Sequence, residues 1–206
     1  CCSLALENSP WLIDEILIRH HEISAHGVKW ISHAYLSKED EKQIINDCYS
    51  SILKLSGHPP VGWHTKSSTS PFTRDLLIEH GGFTYDSNAY NDDIPYVLKK
   101  NDQKLVIIPY SFDTNDMRYD GNNGFVRGDD FNIYCKESFN QLLSETDDGS
   151  LRMMSIGLHP RIIGRPGRIK GLEDFIKYIK TYENVWIPKR MDIAKYCLEK
   201  NSFNFF

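Results

Sequence analysis

Four segments of this chain gather side chains that can move protons or grip polar groups. HEISAHGVKW carries His21, Glu22 and His26, and PPVGWHTKSS carries Trp63 and His64. YDSNAYNDDIPY is a polar stretch that runs on, past an apolar run, to PYSFDTNDMRY; GLHPRIIGRPGR carries His159, Arg161, Arg165 and Arg168. Histidine accepts or delivers a proton near neutral pH, and arginine makes planar, two-pronged bonds to a carboxylate, ureido group or oxyanion. The chemistry they suit is hydrolysis, or recognition of a polar small molecule. Singly, each has a plainer reading: an isolated histidine is more often a core or surface residue, and an acidic loop is usually a solvated turn. Asp113-Thr114-Asn115-Asp116 lacks the spacing and terminal Glu of a calcium loop. There is no GxSxG elbow, P-loop or GxGxxG. Gly121-Asn122-Asn123-Gly124 is the one glycine-rich piece, and no helix follows it directly. These features argue against a serine hydrolase, a nucleotide hydrolase and a dinucleotide oxidoreductase.

The segments gain weight from the elements that would hold them. Ser9-Pro10 predicts a helix start with Trp11, Leu12 and Ile16 on its apolar face. A short extended piece follows at 22–25. Ser37 with Asp40 approximates a capping box for a second helix, which Gly57 ends. A strand is predicted over 61–64, then a helix opened by Ser70-Pro71 and closed at Gly81 or Gly82. Strands at 83–85 and 104–110 come next, then a long loop over 113–130 rich in Asp, Asn and Gly. A helix over 132–144, a strand over 152–158, a helix over 169–182, a strand over 184–187 and a helix over 191–199 complete the chain. Strands alternating with helices predict a mostly parallel sheet, doubly wound or closed into a barrel. Such folds place their chemistry at the C-terminal ends of the strands. The four segments fall there.

Composition sets the outer bounds. The chain has 206 residues, 24 Lys+Arg against 28 Asp+Glu, and a hydrophobic fraction of 40%. That is one domain, residues 1–206, with enough chain for a core that needs no disulfide or structural metal. A net charge of −4 and a pI near 6.1 give no electrostatic footprint for nucleic acid or an anionic membrane. No apolar run approaches the roughly 20 residues of a membrane span, so a soluble domain is expected. Five scattered cysteines without CxxC spacing suit reduced thiols, and no signal peptide is visible; the expected compartment is the cytoplasm. The chain opens without Met, and an N-terminally incomplete domain is expected.

HEISAHG, Gly62-Trp63, Ser70-Pro71, GGFTYDSNAYNDDIPY, PYSFDTNDMRY and GLHPRIIGRPGR, in this order and spacing, resemble the polysaccharide deacetylase (NodB-like) superfamily. They are most similar to its branch of metal-independent allantoinases, which open the hydantoin ring of allantoin. The resemblance runs from about Ala5 to the C-terminal helix. It implies an α/β fold, a distorted (β/α) TIM-like barrel with its site at the C-terminal strand ends, here without its first strand or strands. Metal-dependent deacetylases hold a divalent cation through an early Asp and two His separated by three residues. His26 matches the first His, but the second falls on Trp30, and the segment with the Asp would precede residue 1. His33 has the wrong spacing to substitute. Pro59 stands where an Arg-Pro-x-Gly-Trp block has its Arg.

By this resemblance His159 and His26 serve in proton transfer or water positioning, with Asp116 close by; Trp63, Asp86, Asp93, Arg161 and Arg165 shape and polarise the pocket. The expected activity is hydrolysis of a non-peptide carbon–nitrogen bond, allantoin to allantoate in purine breakdown. No cofactor and no metal ligands are expected. The expected partners are a small ureide and further copies of the chain, a tetramer by analogy, with no nucleic acid and no membrane. One alternative is an N-deacetylase of chitin or peptidoglycan, which would need a divalent metal such as zinc. The other is an inactive fragment, or a binding or assembly subunit.

Overall fold

Two short helices, α1 (Ser3–Asn8) and α2 (Trp11–Ile18), precede the long α3 (Lys38–Ser56) in a computed structural model that describes residues 1–121, 124–146 and 149–200. The chain forms two units: Cys1–Ala89, Pro95–Ile108 and Pro188–Phe206 in the first, Tyr90–Ile94 and Pro109–Ile187 in the second. In the first unit Ser37 caps α3 as predicted. Its hydroxyl accepts from Asp40 N at 3.1 Å, and Glu39, Asp40 and Glu41 place negative charge at the helix's positive end. Gly57 ends α3 at φ 73°, in the left-handed region that only glycine adopts freely. The Ser9-Pro10 start is displaced by a residue. Pro10 flanks α2 with helical φ and ψ, and the carbonyl of Ser9, not its hydroxyl, takes the Leu12 amide at 3.0 Å.

The helix predicted from Ser70-Pro71 is α4 (Thr73–His80), closed by Gly81. It starts late because Ser70 is diverted: its hydroxyl donates to the buried carboxylate of Glu41 and accepts from Phe72 N. The strands are β1 (Gly62–Trp63), β2 (Tyr85–Asp86), β3 (Tyr96–Lys100) and β4 (Gln103–Ile107), in sheet order β1-β2-β4-β3. β1, β2 and β4 run parallel, with Trp63 opposite Asp86 and Asp86 opposite Ile107; Ala25 adds a single parallel bridge to Trp63. β3 pairs antiparallel with β4. This hairpin, which the sequence pattern does not predict, turns on Asn101 and Asp102, both at positive φ. Val97 is the one buried residue of β3, Tyr96 and Leu98 are half-buried against the core, and Lys99 and Lys100 are exposed, so no alternation marks it in the sequence. Leu6, Ile45, Cys48, Ile52, Trp63, Leu77, Leu105 and Ile107 are buried in one core.

The second unit is held by helices. A 3₁₀ helix (Asp116–Tyr119) is followed by α5 (Gly128–Ser144), α6 (Pro160–Ile163) and α7 (Pro166–Ile179). α5 and α7 cross at Gly128 and Gly171; a Cβ on Gly171 would lie 2.0 Å from the Gly128 carbonyl oxygen. Around them Phe125, Phe131, Cys135, Phe139, Ile163 and Phe175 form a second core. The strands expected over 152–158 and 184–187 do not form. The first lies extended beside 109–116, but a single Asn115–Gly157 bridge joins them. The other links use side chains: Thr114 Oγ1 donates to the Ser155 carbonyl at 2.5 Å, and Ser155 Oγ to that of Pro109 at 2.9 Å. In the second segment Val185 alone packs on the second core while Trp186 and Ile187 are exposed, too small a buried face to order a strand. The 113–130 loop contains the 3₁₀ helix and the first residues of α5; Asn122 and Asn123 of its glycine-rich piece lie outside the described residues. The α/β class expected from the sequence holds, with a mixed rather than wholly parallel sheet.

Candidate active site

The second unit brings Asp116 and His159 together. The Asn115–Gly157 bridge sets them in register, and Gly157 is required there. A Cβ would fall 2.2 Å from Tyr110 Oη and 2.3 Å from Asn115 Nδ2. Asn115 caps the 3₁₀ helix, accepting from Met117 N at 2.9 Å, while its amide donates to Tyr110 Oη at 2.8 Å. Asp116, fully buried, is thereby aimed at the start of α6. One carboxylate oxygen accepts from His159 Nδ1 at 2.6 Å; the other accepts from His159 N at 2.6 Å and Ile163 N at 3.2 Å. The His159 amide stands at the cap of α6, where no helical partner exists, and the Ile163 amide is shared with the His159 carbonyl at 3.0 Å. A carboxylate only accepts, so Nδ1 carries the imidazole proton and Nε2 is the basic nitrogen. The arrangement is a base oriented by a buried carboxylate, suited to taking a proton from water and passing it to a leaving nitrogen.

The first unit assembles a different cluster where β1, β2 and β4 end. Because Ala25 bridges to Trp63, His26 stacks on His64, with ring centroids 5.2 Å apart and planes within 8°. His26 Nδ1 donates to the His64 carbonyl at 2.5 Å, and His64 Nδ1 to the Ser87 carbonyl at 2.8 Å. Carbonyls cannot donate, so both rings present Nε2 as the basic nitrogen. Burial, and then the charge of His26, push the His64 pKa down to about 4; the Ser87 carbonyl opposes and Arg190 adds to the depression. Arg190 donates to Ser87 Oγ at 3.0 Å and to the Ile108 carbonyl at 3.4 Å. It opens the C-terminal helix (Arg190–Lys200), outside every segment singled out in the sequence. The only local signal for it is a cation at a predicted helix start.

Asp86, which ends β2 opposite Trp63, is buried. Its carboxylate accepts from Arg74 Nε at 3.2 Å, Asn88 N at 3.0 Å and Asn88 Nδ2 at 2.5 Å; Asn88 Oδ1 in turn accepts from Thr65 N at 2.7 Å. Burial raises its pKa against the pull of Arg74 and Asn88. Asp86, Arg74 and Asn88 line a cavity of about 150 Å³ with Ser70 and Thr73.

No family model matches the sequence. The crystal structure of a probable polysaccharide deacetylase from Pseudomonas aeruginosa PAO1 is 38% identical, with a TM-score of 0.93 over 98% of this chain and 68% of that one. The crystal structure of PuuE allantoinase gives 38% identity and a TM-score of 0.93, over 98% of this chain and 67% of that one. The "Putative polysaccharide deacetylase" of Schizosaccharomyces pombe is 33% identical over 93% of this chain and 64% of its own length. This chain belongs to the polysaccharide deacetylase family. It spans just under two thirds of the length of the yeast relative.

Within that family the metal position can be tested against the donors present. Trp30, at the second histidine position, is partly exposed with the Lys66 ammonium 5.2 Å from its ring centroid. An indole N–H only donates. The in-plane lone pairs of the parallel His26 and His64 rings do not converge on a tetrahedral cation. His33 is buried, with Nδ1 on Glu41 Oε1 at 2.9 Å. Among the described residues no three His, Cys, Asp or Glu are grouped to hold a metal ion. Among the described residues, the donors around His26 and Trp30 do not assemble a site for a divalent cation.

The other residues expected in the pocket divide between the units: Trp63 and Asp86 in the first, Asp93, Arg161 and Arg165 in the second. Trp63 is fully buried in the core of the first unit, its indole N–H on Thr65 Oγ1 at 2.8 Å and its ring edge-on to Phe83. In the second unit Asp93 is exposed and joins its surroundings through its carbonyl, which accepts from Met153 N at 2.8 Å. Partial burial, Asp92 and Glu145 raise its pKa against Arg152. Arg161 and Arg165 are exposed at the start of α6 and of α7. No described helix is long and apolar enough to cross a membrane.

Proposed function

We propose that this chain carries the proton-transfer machinery of an amidohydrolase that opens allantoin to allantoate. The observation that supports this most is the Asp116–His159 pair, with Nδ1 on the carboxylate at 2.6 Å. Water adds to the ring amide carbon as His159 Nε2 takes its proton. The carbon–nitrogen bond then breaks as the imidazolium returns a proton to the leaving nitrogen, and Asp116 stabilises the cation between the two steps. The likeness to PuuE allantoinase and the ill-fitting donor set around Trp30 favour this branch over a metal-dependent one. His26 is assigned, on the resemblance, to water positioning in the first unit. Purine breakdown in the cytoplasm by a homo-oligomer, a tetramer by analogy, belongs to the same reading.

The names of the Pseudomonas and yeast relatives favour a second reading, an N-deacetylase that releases acetate from N-acetylated glycans. A two-substrate assay separates them. Allantoate formed from (S)-allantoin, lost in His159→Ala, supports the first. Acetate released from chitin oligomers without allantoin turnover replaces it with the second.

A further inference from the structure

Arg168 is a half-buried guanidinium on α7. Among the described residues it has no carboxylate partner. Two contacts hold it instead, one to each element that carries a member of the Asp116–His159 pair. Its Cζ lies 4.5 Å from the centroid of the Tyr119 ring, and its Nη1 donates a long bond, 3.4 Å, to the carbonyl of Ile162. Tyr119 ends the 3₁₀ helix that Asp116 begins. Side chains three apart on such a helix eclipse, so ring and carboxylate share a face. Ile162 lies in α6, which His159 caps and whose Ile163 amide also binds Asp116. The neighbouring face of the 3₁₀ helix shares a ring with Tyr119: Phe125 lies 5.4 Å from Tyr119 centroid to centroid, and the Arg118 guanidinium lies 4.4 Å from the same Phe125 ring and 4.3 Å from that of Tyr134.

We infer that Arg168 is the positioning residue of the pair, a cationic clamp that fixes the 3₁₀ helix and α6 at the separation the Asp116–His159 bond requires. It acts through Tyr119 and Ile162 and touches no substrate. Arginine suits the task because a planar guanidinium stacks on a ring and donates at its edge at the same time, which an ammonium does less well. The inference rests on the proton-transfer reading of the pair, but its physical content, the geometry of one hydrogen bond, can be measured without turnover.

The test compares Arg168→Met, which keeps the apolar stem, with Arg168→Lys, which keeps the charge. The first readout is the downfield proton resonance of His159 Nδ1–H; the second is kcat against KM for (S)-allantoin. In folded Arg168→Met the resonance is expected to vanish, and kcat to fall about 100-fold with KM nearly unchanged, the scale of an ångström-sized misplacement. Arg168→Lys is expected to recover kcat to within about tenfold of wild type. A folded Arg168→Met that keeps both the resonance and kcat overturns the inference. If that variant does not fold, Arg168→Gln, which retains an N–H for the Ile162 carbonyl, decides by the same readouts. His159→Asn run alongside separates the two failures: full turnover in it refutes the proton-transfer reading, whereas the resonance still decides the role of Arg168.

Discussion

Replacing Asp116 by Asn changes one charge and almost no volume, and the donors around the side chain dictate how the new amide must turn. The oxygen facing α6 is bound by the amides of His159 and Ile163, both donors. An Asn side chain must therefore turn its carbonyl there and its NH₂ toward His159. Nδ1, which donates to Asp116 Oδ1 at 2.6 Å, would then have to accept. The imidazole proton moves to Nε2, and the nitrogen that should take a proton from water can no longer do so. The same exchange in serine proteases lowers kcat by about 10⁴ through the wrong tautomer, which corresponds to about 5.5 kcal/mol of barrier. A loss of about 10³ to 10⁴ in kcat on (S)-allantoin is expected here, with thermal stability nearly unchanged because every backbone bond is kept. Nitrogen NMR of the imidazole should show the proton on Nε2. A kcat within about threefold of wild type, with the tautomer switched, would falsify the role given to the pair.

Glu41 accepts from His33 Nδ1 at 2.9 Å, Thr73 Oγ1 at 2.6 Å and Ser70 Oγ in a fully buried site, so Glu41→Gln is expected to destabilise by about 3 kcal/mol in denaturant titrations. Burial pushes the Glu41 pKa up, but the bonds from His33, Ser70 and Thr73 outweigh it and leave the pKa below 4.5. Its stabilisation is therefore complete above that value, and the gap between wild type and Glu41→Gln should close as pH falls through the lower folded pKa. The His64 ring should titrate by NMR near pH 4 rather than 6.5. Between those values the unfolded chain binds a proton that the folded chain does not, so stability should fall by about 3 kcal/mol as pH drops across the window; a His64 midpoint near 6.5 would contradict this. Gly157→Ala puts a methyl 2.2 Å from Tyr110 Oη, and a loss of about 1–3 kcal/mol with weakened His159 Nδ1 bonding is expected from calorimetry and NMR.

How much of the molecule is legible in its sequence depends on where the interactions lie along the chain. Ser37, Asp40 and Gly57 act within a few residues of the helix ends they define, so the ends of α3 could be read directly. His159 and Asp116 lie 43 residues apart and were joined only through the family resemblance. β4 overlaps the strand predicted over 104–110, whereas β3 is not legible because Lys99 and Lys100 face solvent and leave no apolar alternation. Segment 152–158 is apolar enough to suggest a strand, but Thr114 and Ser155 give its neighbour side-chain partners in place of a ladder. Arg190 meets Ser87 across 103 residues, and Arg74 meets Asp86 through a helix-to-strand contact; no motif encodes either pairing. Trp63, expected from the resemblance to line a pocket, is fully buried.

On the proposed function, the Asp116–His159 pair hydrolyses a ureide without a cation held by this chain's own residues. The most direct measurement is allantoate formation from (S)-allantoin by the purified protein, stripped of metal and assayed in EDTA. Turnover that the chelator leaves unchanged and that zinc does not increase is expected. Turnover abolished by EDTA and restored by zinc would contradict the proposed function, and would turn attention to the metal-dependent deacetylases of the same family.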